Sequence, residues 1–430
     1  MDWTPLMAPL IVPLVKIALL VFAVMTAAAY LVLLERWMAA WVQDRKGPNR
    51  VGIPLTKIKL FGLGQPLADG LKFIFKEEYT PAHVDKALYI LAPISIMAAA
   101  LAIFAVIPFG TVLPFELPGI EGPIQLVVAP GVDVGMIYVF ALSSIAVYGV
   151  ILGGWASNNK YGFLGGLRSS AQLIAYEIPL GLGILGVVLA SGSLRLETII
   201  GEQAASGQWN AFSQPLGLVV FMIAAFAEAA RLPFDLPECE QELVGGYHTE
   251  YAGMKLLLFL IAEFLHMVVA ALLIVILFFG GWHFWGMEVG ADPARDMISW
   301  PSAILRVFVL VAKTLGVILF FMLVRWSWPR FRFDQLMNLA WKVMLPLGLV
   351  NLLAVAALVE YQHQRSLEGL TSSPWLPIAV NWLVALVGLA AAALLAPLNT
   401  DNRPRFDALG PPDFEPEDAI VDEPQGALSR

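Results

Sequence analysis

Apolar stretches long enough to cross a membrane alternate with short polar segments over most of the chain. A helix needs about 20 consecutive apolar residues to span a hydrocarbon core of about 30 Å. Stretches of this kind lie at residues 8–34, 88–108, 132–153, 171–190, 215–230, 254–280, 303–325, 343–360 and 376–396. The pattern predicts an all-α polytopic membrane protein with nine transmembrane helices. The fifth is short, at roughly 24 Å for its length.

The polar segment 35–87, between the first two predicted spans, contains an amphipathic helix. Its sequence QPLADGLKFIFKEE begins at Gln65 and sets one apolar stripe against a polar face. The stripe consists of Leu67, Leu71, Ile74 and Phe75, and the polar positions are Asp69, Lys72 and Lys76. The pattern alone favours a membrane-surface anchor, and the alternative is one wall of a pocket for an amphiphilic ligand.

Composition supports a membrane protein and excludes some kinds of site. Of the 430 residues, 59% are hydrophobic and 14% are charged, whereas soluble domains carry about 25% charged residues. Cys239 is the single cysteine, which excludes disulfides within the chain and cysteine-ligated iron–sulfur clusters. The histidines are scattered, so the sequence predicts no metal or haem site.

Lysine and arginine residues concentrate in the odd-numbered loops between the predicted spans. By the positive-inside rule these loops face the cytoplasm, and the N-terminus faces the other side. Nine spans then place the C-terminal tail, 397–430, on the cytoplasmic side as well. The tail is acidic and proline-rich with few aromatics, a composition that predicts disorder.

The segment 227–251, AEAARLPFDLPECEQELVGGYHTEY, concentrates acids between the fifth and sixth predicted spans. Arg231 is its only lysine or arginine, and its acids are Glu228, Asp235, Glu238, Glu240, Glu242 and Glu250. A charge at the centre of a membrane helix costs about 2.5–3.5 kcal/mol on insertion scales. Two interpretations stay open: the acids share protons in a low-dielectric pocket, or they pair with Arg231 and dock a partner.

Other charged groups lie within the predicted spans. Glu177 falls in the fourth span, Glu263 and His266 in the sixth, and Arg306 and Lys313 in the seventh. Intramembrane acids are candidates for a proton path. His266 fits a helix histidine with satisfied hydrogen bonds better than a proton carrier.

Five blocks of the sequence resemble one family of membrane proteins. In order from Glu35 to Pro346 they are ERWMAAWVQDRKGPNRVG, GLGQPLADGLKFIFKE, GGWASNNKYGFLGGLRSSAQLIAYEIP, AEAARLPFDLPECEQELVGGYHTEYAGMKLLLFLIAEF and RFRFDQLMNLAWKVMLP. The chain resembles the quinone-site membrane subunits of respiratory complex I. These are the H subunit of bacterial NADH:quinone oxidoreductase and subunit 1 in mitochondria.

The resemblance implies a membrane subunit of the proton-pumping NADH:quinone oxidoreductase, with no activity of the chain alone. Such a subunit forms the membrane part of the quinone chamber and couples quinone reduction to proton translocation. The chain itself is expected to bind no cofactor, and quinone is the substrate. Expected partners are the hydrophilic arm, whose subunits carry FMN and iron–sulfur clusters, the antiporter-like membrane arm and lipid, but no nucleic acid. The bacterial cell inner membrane is the expected location.

The resemblance also implies two sets of site residues, without metal ligands. Residues expected to line the quinone chamber are Glu35, Arg36, Gln65, Asp69, Lys72, Phe75, Arg231 and Phe234. Residues expected in proton coupling are Glu177, Glu228, Asp235, Glu238, Glu240, Glu242, Glu250 and Glu263. For Asp235, a packing or capping role in its turn is an equal alternative.

The chain departs from the family pattern at its C-terminal end and at two aromatic positions. The family has eight transmembrane helices. Residues 1–360 are therefore expected to form the family domain, 361–396 an extra span and 397–430 a tail. Trp37 stands where a basic residue often follows Glu-Arg, and Phe264 stands where tyrosine usually follows glutamate.

Two alternative functions remain open from the sequence. The first is a membrane anchor of a related hydrogenase or F420-type dehydrogenase complex, whose members share the acidic loop. The second is a freestanding proton or cation transporter, although no internal repeat is visible. The GPN, QPxAD and WKxxxP blocks favour the quinone enzyme over both.

Overall fold

The computed structural model of this chain describes residues 4–52, 59, 61–113, 124–236, 243–285, 300–368 and 375–395. Within these ranges helices dominate, and the only β-pairing is an isolated bridge between Val112 and Gln125. The predicted all-α fold is confirmed. The predicted tail, 397–430, and the acids Glu238, Glu240 and Glu242 lie outside the described residues.

The helices are numbered here in chain order. They are α1 Thr4–Val42, α2 Gln65–Phe75, α3 Lys86–Ile103, α4 Gly135–Ala156, α5 Lys160–Ser191, α6 Leu196–Ser206, α7 Asn210–Ser213, α8 Pro215–Glu228, α9 Gly253–Phe278, α10 Trp300–Ser327, α11 Phe333–Asn338, α12 Leu345–Leu367 and α13 Trp375–Leu395. A π-helical turn, Leu339–Met344, joins α11 to α12. Together these three segments form one continuous span.

In the described part of the chain, 8 helices are long and apolar enough to cross a membrane. They comprise α1, α3, α4, α5, α9, α10, the α11–α12 unit and α13. The predicted fifth span corresponds to α8, which has only 14 residues. At 1.5 Å per residue it covers about 21 Å, less than the ~30 Å hydrocarbon core. Because α8 cannot reach both surfaces, Glu228 at its end lies inside the protein.

Local signals in the sequence fix where two of the long helices begin. Asp85 caps α3 by accepting hydrogen bonds from the backbone N–H groups of Ala87 and Leu88 at 3.1 and 3.4 Å. Asn159 caps α5 by accepting from the N–H of Tyr161 at 3.1 Å. Both residues satisfy donors that the first helical turn leaves free.

Helix α9 is the most deeply buried span, and α3, α8 and α10 pack around it. Close approach brings the loop after α8 against α5. A Cβ on Gly165 would lie 2.7 Å from the backbone of Gly246 and Tyr247. Only glycine leaves room for that contact, which places the Tyr247 side chain beside α5 and α9.

The amphipathic helix forms where the sequence predicts it, as α2. Its apolar stripe is uncovered in the chain, and Phe75 is 83% exposed. Because α2 buries none of its residues against the rest of the chain, its apolar face is available to lipid, a ligand or another subunit.

Candidate functional site

Two clusters of charged and polar side chains lie near the end of α8. The arginine cluster comprises Glu35, Arg231, Phe264 and Arg325. The acid cavity is lined by the polar side chains of Ser143, Ser144, Ser169, Glu177, Glu228, Tyr247, Glu263 and His266. The turn that follows Glu228 connects the two clusters, since it carries Arg231.

In the arginine cluster, one buried carboxylate pairs with two guanidinium groups. The Arg231 Nη1 atom lies 3.1 Å from the Glu35 carboxylate, and Arg325 pairs with the other carboxylate oxygen. Glu35 and Arg231 are only 9% and 7% exposed. Two cations against one anion leave the cluster with an excess positive charge.

The Arg231 guanidinium still has donors to offer. Its centre lies 4.2 Å from the centroid of the Phe264 ring, which is a cation–π contact. Its Nε and Nη2 atoms are buried and have no hydrogen-bond partner among the described residues. A buried donor without an acceptor costs about 1–3 kcal/mol. An incoming carbonyl or carboxylate oxygen would therefore be stabilised here.

Helix α2 is tied to the end of α1 next to the arginine cluster. The Arg36 Nη1 atom lies 2.7 Å from an oxygen of Asp69, and Gln65 donates to the other oxygen at 2.8 Å. The expected chamber residues Lys72 and Phe75 lie further along α2 on its exposed surface. The contacts thus join Arg36, Gln65 and Asp69, while Lys72 and Phe75 remain apart from them.

Phe234 and Asp235 lie in the packed turn after Arg231. The Phe234 ring contacts the rings of Tyr176 and Phe331, each with a centroid distance of 5.5 Å. Asp235 pairs with Arg330 at 3.3 Å. Gln172 of α5 donates to the carbonyls of Ala227 and Phe234 at 2.8 and 2.7 Å, which holds both ends of this turn.

In the acid cavity, each of three carboxyl groups accepts a hydrogen bond from a hydroxyl. Ser143 donates to Glu228, and Ser144 donates to Glu177. Tyr247 donates to Glu263 with an O–O distance of 2.7 Å. The three acids come from different helices, α8, α5 and α9, and meet only in the folded chain.

The acid cavity has a volume of about 50 Å³. One buried water occupies ~10–15 Å³ by the same measure, so the cavity has room for several waters. Among the described residues that line it there is no lysine or arginine. Three carboxyl groups without a cation cannot all ionise in a low-dielectric site. The arrangement can store protons and pass them between neighbouring groups.

Glu250 lies apart from both clusters, in a network at the start of α9. Asn159 donates to its carboxylate at 2.5 Å, and its backbone carbonyl accepts from Tyr89 at 2.7 Å. The rings of Tyr89 and Tyr251 stack at 4.1 Å. Burial raises the pKa of Tyr251, which keeps that phenol neutral.

The sequence did not single out several residues that the fold brings to these clusters. Ser143, Ser144 and Tyr247 supply the hydroxyl donors, and Arg325 supplies the second guanidinium. Serine pairs are common in apolar helices, so only their distance to Glu228 and Glu177 distinguishes them. Lys313, which the sequence left unassigned, donates to the carbonyls that end α9 and follow it, those of Phe279, Gly281 and His283.

Comparisons with known proteins cover most of the chain. The sequence model of the family described as NADH dehydrogenase matches residues 15–356. The first of two numbered H subunits of NADH-quinone oxidoreductase, from Geobacter metallireducens, is 47% identical over 81% of this chain and 97% of its own length. The second numbered H subunit, from Geobacter sulfurreducens, is 46% identical over 79% of this chain and 93% of its own length. The H subunit of Leptospira biflexa is 45% identical over 81% of this chain and 94% of its own length.

Proposed function

This chain belongs to the family of H subunits of NADH-quinone oxidoreductase, and on that premise we propose that its two clusters divide the work of a redox-driven pump. The chain is a multi-pass membrane subunit of an enzyme complex. In the proposal, the arginine cluster and α2 border the chamber that admits quinone. The acid cavity then receives the consequence of quinone reduction as a change in its protonation.

The charge of the arginine cluster supports the first half of the proposal. Reduction of a quinone adds negative charge to the head group before protons arrive, and the excess positive charge at Arg231 and Arg325 favours that state. The uncovered apolar stripe of α2 starts beside Asp69 and would accommodate an isoprenoid tail. Phe75 and Lys72 would lie toward the entrance of such a chamber.

The second half rests on one observation, the meeting of Glu177, Glu228 and Glu263 around a cavity that no lysine or arginine of the described chain lines. Ionising one of these carboxyl groups raises the cost of ionising the others. A negative charge that forms in the chamber would therefore move protons within the cavity. In this proposal Asp235 holds its turn through Arg330 rather than carrying a proton.

The proposal extends to partners and membrane orientation. We place FMN and the iron–sulfur clusters in the subunits of the hydrophilic arm. That arm would dock on the cytoplasmic side of an inner membrane, beside α2 and the acidic segment that includes Glu238, Glu240 and Glu242. Antiporter-like subunits of the membrane arm would continue the proton path. The odd-numbered loops and the tail would face the cytoplasm.

Substitution of the cavity acids tests the coupling role. We expect Glu228→Gln and Glu177→Gln to keep assembly and NADH:quinone reduction while the protons pumped per NADH fall to about half or less, because an amide cannot exchange protons. The measurement is proton uptake by inverted membrane vesicles at matched rates of NADH oxidation.

Glu360→Gln is the matched control, since Glu360 lies on the exposed surface of α12. It should pump as the unsubstituted chain does. Normal pumping by both Glu228→Gln and Glu177→Gln would rule out the proposed role of the acid cavity.

A further inference from the structure

His266 lies where two neighbouring cavities meet. It follows Glu263 by three positions on α9, so both side chains lie on one face of that helix. His266 lines the acid cavity and also a second cavity of about 10 Å³. Ser143 and Glu228 line both cavities as well. The second cavity otherwise has an apolar wall, so the polar neighbours of His266 there are these two groups.

The hydrogen bonding of His266 differs from the sequence expectation of a satisfied helix histidine. Its Nε2 atom is buried and has no hydrogen-bond partner among the described residues. Buried imidazole nitrogens in proteins are normally bonded to a side chain, a carbonyl or a water. A cavity with room for about one water beside this histidine supplies a physical way to satisfy it.

The titratable groups that share the acid cavity with His266 come from every side. Glu228 belongs to α8, Glu177 to α5, and Glu263 to the same helix as His266, while Tyr247 comes from the loop before α9. All four are acids. His266 is therefore the only lining residue of the described chain whose side chain gains a positive charge on protonation, and a proton there would be stabilised by an ionised neighbour.

We propose that His266 relays protons between the Glu263 end of the acid cavity and Glu228. In one transfer, a proton is bound at the unprotonated ring nitrogen, and the proton on the other ring nitrogen is released to a water or carboxylate on the far side. Proton number is conserved, and the neutral ring is restored in its other tautomer. The inference deepens the proposed function and depends on it.

The test compares His266→Gln and His266→Asn with the acid substitutions in the assembled complex. Both amides retain hydrogen-bonding groups but cannot carry a proton, and together they bracket the volume of the imidazole. We expect assembly and NADH:quinone reduction to persist while the protons pumped per NADH fall to about half or less. His363→Gln, on the exposed surface of α12, is the matched control and should pump normally.

A substitution that leaves His266 in place gives an independent measurement. Ala270 lines the second cavity, and Ala270→Val would fill its space of about 10 Å³. The relay then loses its water, so pumping should fall while quinone reduction persists. A wild-type pumping ratio in any assembled variant that lacks the imidazole, or in Ala270→Val, would overturn the relay.

The outcomes separate the relay from the function on which it rests. If Glu228→Gln lowers pumping and His266→Gln does not, the acid path stands and the relay is wrong. If both variants pump normally, the proposed function fails together with the relay. If both lower pumping while His363→Gln does not, both are supported.

Discussion

Glu35 is a buried carboxylate whose charge is balanced by two arginines from distant parts of the chain. Arg231 follows α8 and Arg325 ends α10, so the pairing connects three membrane helices at one point. The nearby pair of Arg36 and Asp69 is far more exposed, with side-chain exposures of 47% and 27%. The same kind of ion pair therefore has a different energetic weight at two adjacent positions of α1.

Removal of the Glu35 charge should be strongly destabilising. Glu35→Gln leaves two buried guanidinium groups facing each other without a counter-ion, and loss of one partner of a buried pair costs about 3–5 kcal/mol. Thermal unfolding of the purified complex, followed through dissociation of this subunit, measures the effect.

The exposed pair provides the matched comparison. Asp69→Asn should cost no more than about 1 kcal/mol, because solvent screens the interaction with Arg36. Equal losses in Glu35→Gln and Asp69→Asn would mean that Glu35 does not act as the counter-ion of the arginine cluster.

At the scale of elements, the short helix α8 depends on its neighbours. The family match ends at residue 356, yet α13 lies beyond it and packs on α8 and α12. Asn381 of α13 donates to the carbonyl of Ser213 at 2.7 Å, and Trp382 donates to that of Phe212 at 3.0 Å. These are carbonyls at the end of α7, immediately before α8 begins. The additional helix thus stabilises the segment that carries Glu228.

Removal of α13 should destabilise the subunit without removing a proton-carrying group. A chain that ends after Leu367 loses the two hydrogen bonds and exposes the α8 surface that Ala385 covers. Asn381→Ala should cost about 1 kcal/mol, the usual net contribution of one hydrogen bond.

The control for this truncation is a chain that ends after Asn399, which keeps α13 and removes only the acidic tail. Its thermal dissociation temperature should match that of the full chain. If the chain that ends after Leu367 is equally stable, α13 does not support α8.

At the scale of the whole molecule, the proposed chamber has walls that this chain supplies only in part. The arginine cluster is buried, whereas the apolar stripe of α2 is open. Apolar surface of this kind needs a cover in the assembled complex. Quinone, lipid and the hydrophilic arm are the candidates for that cover, and their positions relative to α2 can be mapped chemically.

Labelling with a photoreactive quinone analogue tests the position of the chamber. In the assembled complex, we expect labelled peptides of this subunit to fall within residues 35–76 and 231–264, because these ranges contain α2 and the arginine cluster. Excess unlabelled quinone should abolish the labelling. Label that is displaced by quinone but lies outside both ranges would contradict the chamber assignment.

The sequence by itself determined the membrane architecture. Apolar length along a single helix is a local property, so the spans, the short fifth helix and the amphipathic α2 followed from the pattern. The acids within apolar surroundings, Glu177, Glu228 and Glu263, were also recognisable from local context. The quoted blocks carried the resemblance to the family, and the comparisons confirm it.

Only the tertiary structure decided which groups meet. Arg231 pairs with Glu35 across 196 positions, and Ser143 reaches Glu228 across 85. Such contacts depend on helix packing, and no local pattern of residues specifies them. Packing also left the Nε2 atom of His266 without a partner beside the acids in the described part of the chain. The sequence therefore identified the charged residues, and the fold decided which of them face an opposite charge, a hydroxyl or a cavity.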